Sequence, residues 1–81
     1  MMNLPNEIRM LRQKALLTQE SFAKELGVAF STVNRWESGR AHPSMTGMNR
    51  LKAFSDSHKL PFENLQEAWL LMANEDAASK E

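Results

Sequence analysis

Apolar residues recur along this chain at helical spacing, in five blocks separated by turn signals, and no stretch alternates as a strand would. Leu4, Ile8, Leu11 and Ala15 predict a first helix over Leu4–Lys14, with Asn3 as its cap and Pro5 in the first turn, the one helical position that tolerates proline. Thr18 is a good N-cap for a second helix over Gln19–Leu26, with Phe22, Ala23 and Leu26 facing inward and Gly27 as the stop. A third helix over Phe30–Ser38 turns Val33 and Trp36 inward and ends at Gly39, which leaves Ser31, Asn34 and Arg35 facing elsewhere. Met45, Met48, Leu51 and Phe54 mark a fourth helix over 44–56, weakened by Gly47 by about 1 kcal/mol and ending near His58, where an imidazolium suits the negative pole of the helix. A fifth helix over 61–73 carries Leu65, Ala68, Trp69 and Met72 on one face, widened by Leu70 and Leu71, and a polar, frayed tail follows over 74–81. The expected fold is all-α: one domain over 1–73 with five short helices around one core.

The stretch 19–39 is the unit that the other helices support. It is a helix, a tight turn at Leu26-Gly27-Val28, and a second helix, and two such short helices cannot bury their apolar faces on each other alone. Arg12 lies beside the apolar stripe of the first helix. It is either a surface arginine with a buried stem or the partner of a carboxylate further along the chain.

Composition narrows the chemistry. With 81 residues there is room for one modest core, and without cysteine there is no disulfide or thiolate metal site. The longest apolar run, 68–73, is far below the roughly 18 residues that a membrane helix needs, and no signal-peptide core is present, so a cytoplasmic location is expected. Net charge is zero, but its distribution is uneven. Residues 1–59 hold nine Lys/Arg against five Asp/Glu, a net of +4, and residues 60–81 hold one Lys against five Asp/Glu, a net of −4. The basic charge accompanies the helix-turn-helix, which suits a polyanionic partner.

No enzyme constellation emerges, and no cofactor is expected. His42 and His58 have no metal-ligand spacing, and the three glycines fit no phosphate loop. Ser55, Asp56, Ser57 and His58 hold the letters of a hydrolytic triad, but adjacent residues cannot aim at one another in sequence as a triad requires, and a helix end explains them better. The helix-turn-helix does carry a mechanism. A helix fits the major groove of double-stranded DNA, where base edges present a distinct donor and acceptor pattern. Phe30, Ser31, Thr32, Asn34 and Arg35, with Ser38 further along, are the residues such a helix would present. Gln19 at the start of the second helix and Arg40 past the stop of the third suit phosphate contacts.

The run RxxRxxxxLTQESFAKELGVxxSTVNRWESGRxxPS, over 9–44, resembles the Cro/repressor family of helix-turn-helix proteins, also called Xre-type regulators. The resemblance rests on Leu17-Thr18-Gln19, Phe22-Ala23, Leu26-Gly27-Val28, Thr32-Val33, Arg35-Trp36-Glu37, Gly39 and Pro43-Ser44. It implies a five-helix lambda-repressor-like domain that binds a palindromic operator as a dimer through its third helix, and a repressor by function. It also implies a structural ion pair between Arg12 and Glu37. A symmetric operator needs a symmetric reader, and Trp69 is either absorbed by the small core or anchors a homodimer surface with Leu65, Leu70 and Met72, the second being the expectation. A second reading keeps the same DNA contacts but makes the chain an antitoxin or anti-regulator whose acidic last helix grips a protein partner.

Three positions depart from the family pattern. Leu16 stands where glycine is common, so the turn between the first two helices is expected to be either strained or differently shaped. Ala29 replaces the usual Ser or Thr cap of the third helix, at a cost of about 1 kcal/mol. Phe30 replaces a polar base reader and either meets a thymine methyl or turns back into the core.

Overall fold

The computed structural model describes residues 3–79 of the chain, with side chains described from Asn3 to Met72. It is all-α, with five helices and no strand among the described residues: α1 Leu4–Lys14, α2 Gln19–Leu26, α3 Phe30–Ser38, α4 Met45–Ser57 and α5 Glu63–Ser79. Helix α3 packs on α1 and α2, α4 on α2, and α5 on α1.

Local chemistry sets the helix starts. The Asn3 side chain accepts from the Asn6 N–H, Thr18 from the Ser21 N–H, and Ser44 from the Gly47 N–H. Ser44 is thus the cap of α4 and not its first residue. Ala29 makes no such bond at the start of α3, as its methyl side chain requires. The stops are left-handed residues. Gly27 and Gly39 take φ of 75° and 80° without penalty, and Leu16 takes φ of 60° after α1. Leu16 closes a hydrogen-bonded cap, in which its own N–H donates to the Gln13 carbonyl and the Leu17 N–H to the Arg12 carbonyl. A leucine in this role costs about 1 kcal/mol, and its side chain is 92% exposed, so packing returns nothing there. Lys59, at φ 56°, plays the same part after α4, where the Leu60 N–H donates to the Ser55 carbonyl.

One core joins all five helices. It includes Ile8 and Leu11 of α1, Phe22 and Leu26 of α2, Val33 and Trp36 of α3, Leu51 and Phe54 of α4, and Leu65 and Ala68 of α5. Phe22 and Phe54 meet edge to face at 4.9 Å, which ties α2 to α4. Gly47 has a packing role that its helix propensity hides. A Cβ there would come within 3.1 Å of both Pro43 Cβ and Trp36 Cζ2, so the missing side chain is what lets α4 close over the Trp36 indole.

The last helix departs from expectation in two ways. It begins at Glu63 and continues to Ser79, so the polar segment expected to fray from residue 74 is helical as far as Ser79, and residues 80–81 lie outside the described residues. Its apolar face also divides differently. Leu65 is 3% exposed within the chain's own core, which removes it from the expected dimer surface. Trp69 and Met72 are half-buried against the same core, and the Trp69 indole N–H donates to the Pro43 carbonyl at 2.7 Å. Leu70 and Leu71 remain open, at 40% and 53% exposure.

Candidate nucleic-acid interface

Helix α3 has two unlike faces. Val33, Trp36 and Glu37 are buried, while Phe30, Ser31, Asn34, Arg35 and Ser38 lie on the outside. The split follows from helical periodicity, since residues one turn apart share a face. Phe30 is 52% exposed, so it does not turn back into the core. Thr32 is half-buried at the edge of this face, and the Ser38 hydroxyl donates to the Arg35 carbonyl at 3.2 Å. Arg40 follows the left-handed Gly39 and is exposed, with its backbone N–H on the Arg35 carbonyl.

Behind this face, Arg12 and Glu37 form a two-pronged ion pair. Arg12 donates from Nε to Glu37 Oε2 at 2.8 Å and from Nη2 to Glu37 Oε1 at 2.9 Å. Arg12 Nη1 also donates to the Leu17 carbonyl at 2.9 Å, which ties the pair to the turn before α2. The Glu37 side chain is 1% exposed and that of Arg12 15%. Burial by itself would raise the Glu37 carboxyl. Hydrogen bonds from Arg12 and Gln19, with the charges of Arg12 and Arg9, outweigh it and hold the group below the ordinary carboxylate range. The Glu37 carboxylate likewise raises the Arg12 guanidinium, against the opposing effect of burial.

The pair does not end at Glu37. Gln19, half-buried at the start of α2, donates from Nε2 to Glu37 Oε1 at 3.0 Å. Its Oε1 accepts from Asn34 Nδ2 at 3.2 Å. Gln19 is therefore bonded within the protein on both sides of its amide, with one N–H left to donate to a phosphate. The structure thus joins Arg12, Glu37, Gln19 and Asn34 in one chain of bonds, and leaves Phe30, Ser31 and Arg35 outside it.

Sequence reasoning missed three contributors. Arg9 donates to the Glu37 carbonyl at 3.1 Å, and its Nε lies 3.6 Å from Glu37 Oε1. Its place one turn before Arg12 on α1 was the available signal. Arg50 donates to the Leu26 carbonyl at 2.9 Å and so caps the end of α2 from α4, a pairing that no local pattern announces. Gly27 makes room for it, because a Cβ there would lie 2.7 Å from the Arg50 guanidinium. His58 Nε2 lies 2.8 Å from Glu25 Oε1, with its ring packed on Phe54 at 4.2 Å, so His58 belongs to an α2–α4 contact as well as to a helix end.

The family model described as helix-turn-helix matches residues 8–48, 41 of the 81 residues, and spans both helices of the motif and the ion pair behind them. The chain belongs to the Xre-like helix-turn-helix family. It is a DNA-binding helix-turn-helix domain. The chain is also similar to the HTH-type transcriptional activator BcrR of Enterococcus faecalis, with 32% identity over 53 residues. That match covers 65% of this chain and 26% of BcrR, so the chain spans about a quarter of its relative's length. No solved structure matches the chain. Among the described residues, no group of His, Cys, Asp and Glu is placed to hold a metal ion, and no helix is long and apolar enough to cross a membrane.

Proposed function

We propose that this domain regulates transcription by binding a specific double-stranded operator, with α3 laid in the major groove. The observation that carries the reading is the division of α3. Its inner face is locked by Trp36 and the Arg12–Glu37 pair, while Phe30, Ser31, Asn34 and Arg35 are held outward on that rigid support. Arg35 supplies a bidentate donor for guanine or a phosphate, and the Phe30 ring supplies apolar contact for a thymine methyl. Gln19, Ser38 and Arg40 flank this surface, where they serve phosphate contacts that set register.

Binding of a palindromic site by two copies is part of the same proposal. Leu70 and Leu71 support it, as adjacent exposed leucines on α5 beside half-buried Trp69 and Met72. Repression is the sign that the resemblance to Cro/repressors implies. BcrR is named an activator, and a reporter behind the selected operator decides between the two: expression that falls when the domain is supplied supports repression.

The deciding experiment is selection of sites from random DNA followed by gel shifts on the best site. The Arg35→Ala variant should bind that site about 10- to 100-fold more weakly while melting at the wild-type temperature. Affinity of the wild type should fall steeply as salt rises. Selected half-sites about 34 Å apart would support the dimer. Unchanged affinity in Arg35→Ala would overturn the assignment of α3 as the reading helix.

A further inference from the structure

The chain of bonds from Arg12 to Asn34 has a direction, and the direction has a consequence for base reading. Glu37 is ionised and almost fully buried, so both of its oxygens only accept. The Gln19 amide facing it must therefore present its NH2 group, which donates to Glu37 Oε1 at 3.0 Å. That choice places the Gln19 carbonyl oxygen on the other side, toward Asn34. Asn34 must in turn present its own NH2 group, which it does at 3.2 Å. The nitrogen and oxygen ends of both amides are fixed by the charge at Glu37.

We infer that Gln19 is a positioning residue that sets the hydrogen-bonding sense of Asn34, so that Asn34 reads adenine on the operator. The inference rests on the proposed reading in which the outer face of α3 meets the bases. Asn34 spends one amide N–H on Gln19 and keeps the other, beside a carbonyl oxygen that no described residue occupies. Adenine offers the matching pair in the major groove, an N6 amino donor for the oxygen and an N7 acceptor for the N–H. Guanine offers two acceptors there, O6 and N7, and sets its O6 against the Asn34 oxygen. An asparagine free to rotate its amide could turn its NH2 group toward guanine. Held by Gln19, it cannot do so without breaking the bond at 3.2 Å. The buried ion pair thus acts on specificity from behind the recognition helix, through Gln19.

The test compares base preference rather than affinity. Selected sites are measured with adenine and with guanine at each position, for the wild type, Asn34→Ala and Gln19→Met. Methionine keeps the length of Gln19 and removes its polarity, and the loss of any phosphate contact at Gln19 weakens both sites alike and cancels in the ratio. Asn34→Ala should abolish an adenine preference at one position of each half-site. Gln19→Met should narrow the adenine-to-guanine ratio at that same position by about 10-fold and leave the other positions unchanged. If Asn34→Ala abolishes the preference while Gln19→Met keeps it in full, Gln19 does not position Asn34 and only the base-reading role survives. If Asn34→Ala leaves every position unchanged, Asn34 does not read a base and the inference falls with that reading. A second measurement needs neither DNA nor a variant. In the free protein the Asn34 side-chain amide proton bonded to Gln19 should exchange with solvent several-fold more slowly than those of exposed Asn49, and equal rates would overturn the bond on which the inference stands.

Discussion

The inner and outer faces of α3 are built from the same nine residues and obey different rules. On the inner face the apolar side chains and the carboxylate are committed. Val33 and Trp36 are buried, and Glu37 takes both prongs of Arg12, a third bond from Gln19, and the neighbouring charge of Arg9. On the outer face Phe30 is half in water, Ser31 and Arg35 are exposed, and the helix starts without a side-chain cap. The lesson is a division of labour across a single helix. One side resists change because removing either Arg12 or Glu37 strands a buried charge, and the other can change its contacts at little cost to the fold. Asn34 belongs to both sides, since it stands on the outer face and is bonded through Gln19 to the inner one.

Breaking the inner face should have the largest effect. Glu37→Ala leaves the Arg12 guanidinium without its carboxylate, and a loss of about 3–5 kcal/mol is expected, readable by urea denaturation. Acid should do the same by degrees. Because the folded chain holds the Glu37 carboxyl below its ordinary value of 4.5, the unfolded chain takes up the proton first as pH falls. The contribution of Glu37 is thus fully present above about pH 4.5 and is lost as pH drops from there through the folded value. A Glu37→Ala chain should lack that part of the decline. Arg35→Ala is the counterpart on the outer face, with a loss of about 1–3 kcal/mol in DNA affinity and an unchanged melt. If Arg35→Ala instead destabilised the fold by as much as Glu37→Ala, the division between the faces would fail. Two smaller changes sharpen it. Ala29→Ser should supply the missing cap and raise stability by about 1 kcal/mol while the base preference stays as it was. Leu16→Gly should relieve the left-handed strain before α2. With the entropy of glycine set against that relief, a net gain of about 0.5 kcal/mol is expected, seen as a small rise in melting temperature without change in DNA binding.

The frame of this domain was legible because it is local. Asn3, Thr18, Gly27 and Gly39 mark helix ends that depend on each residue's own backbone and hydrogen-bonding chemistry, and all four stand at those ends. Ala29 and Leu16 were legible for the same reason, as residues out of keeping with a cap and a left-handed turn. Contacts between helices were legible only where a family motif carried them, as for Arg12 and Glu37. Arg50 on the Leu26 carbonyl, Trp69 on the Pro43 carbonyl and the fit of Gly47 against Trp36 had no such marker. The fifth helix shows the limit most clearly. Leu65, Trp69, Leu70 and Met72 were expected on one surface, yet Leu65 is core and Leu70 faces water: Leu70 stands five residues on, turned well away from Leu65 around the helix, and only the packing of α5 on α1 shows which side is covered.

By itself, then, the order of residues determined five helices, the ends of the first three, and the family to which this chain belongs, because periodicity, capping and turn chemistry act over a few residues. Tertiary structure alone decided that Gln19 is bonded between Glu37 and Asn34, and with it the sense in which Asn34 faces outward. Those groups lie on two helices, and the bonds among them exist only once packing has buried a carboxylate that can do nothing but accept.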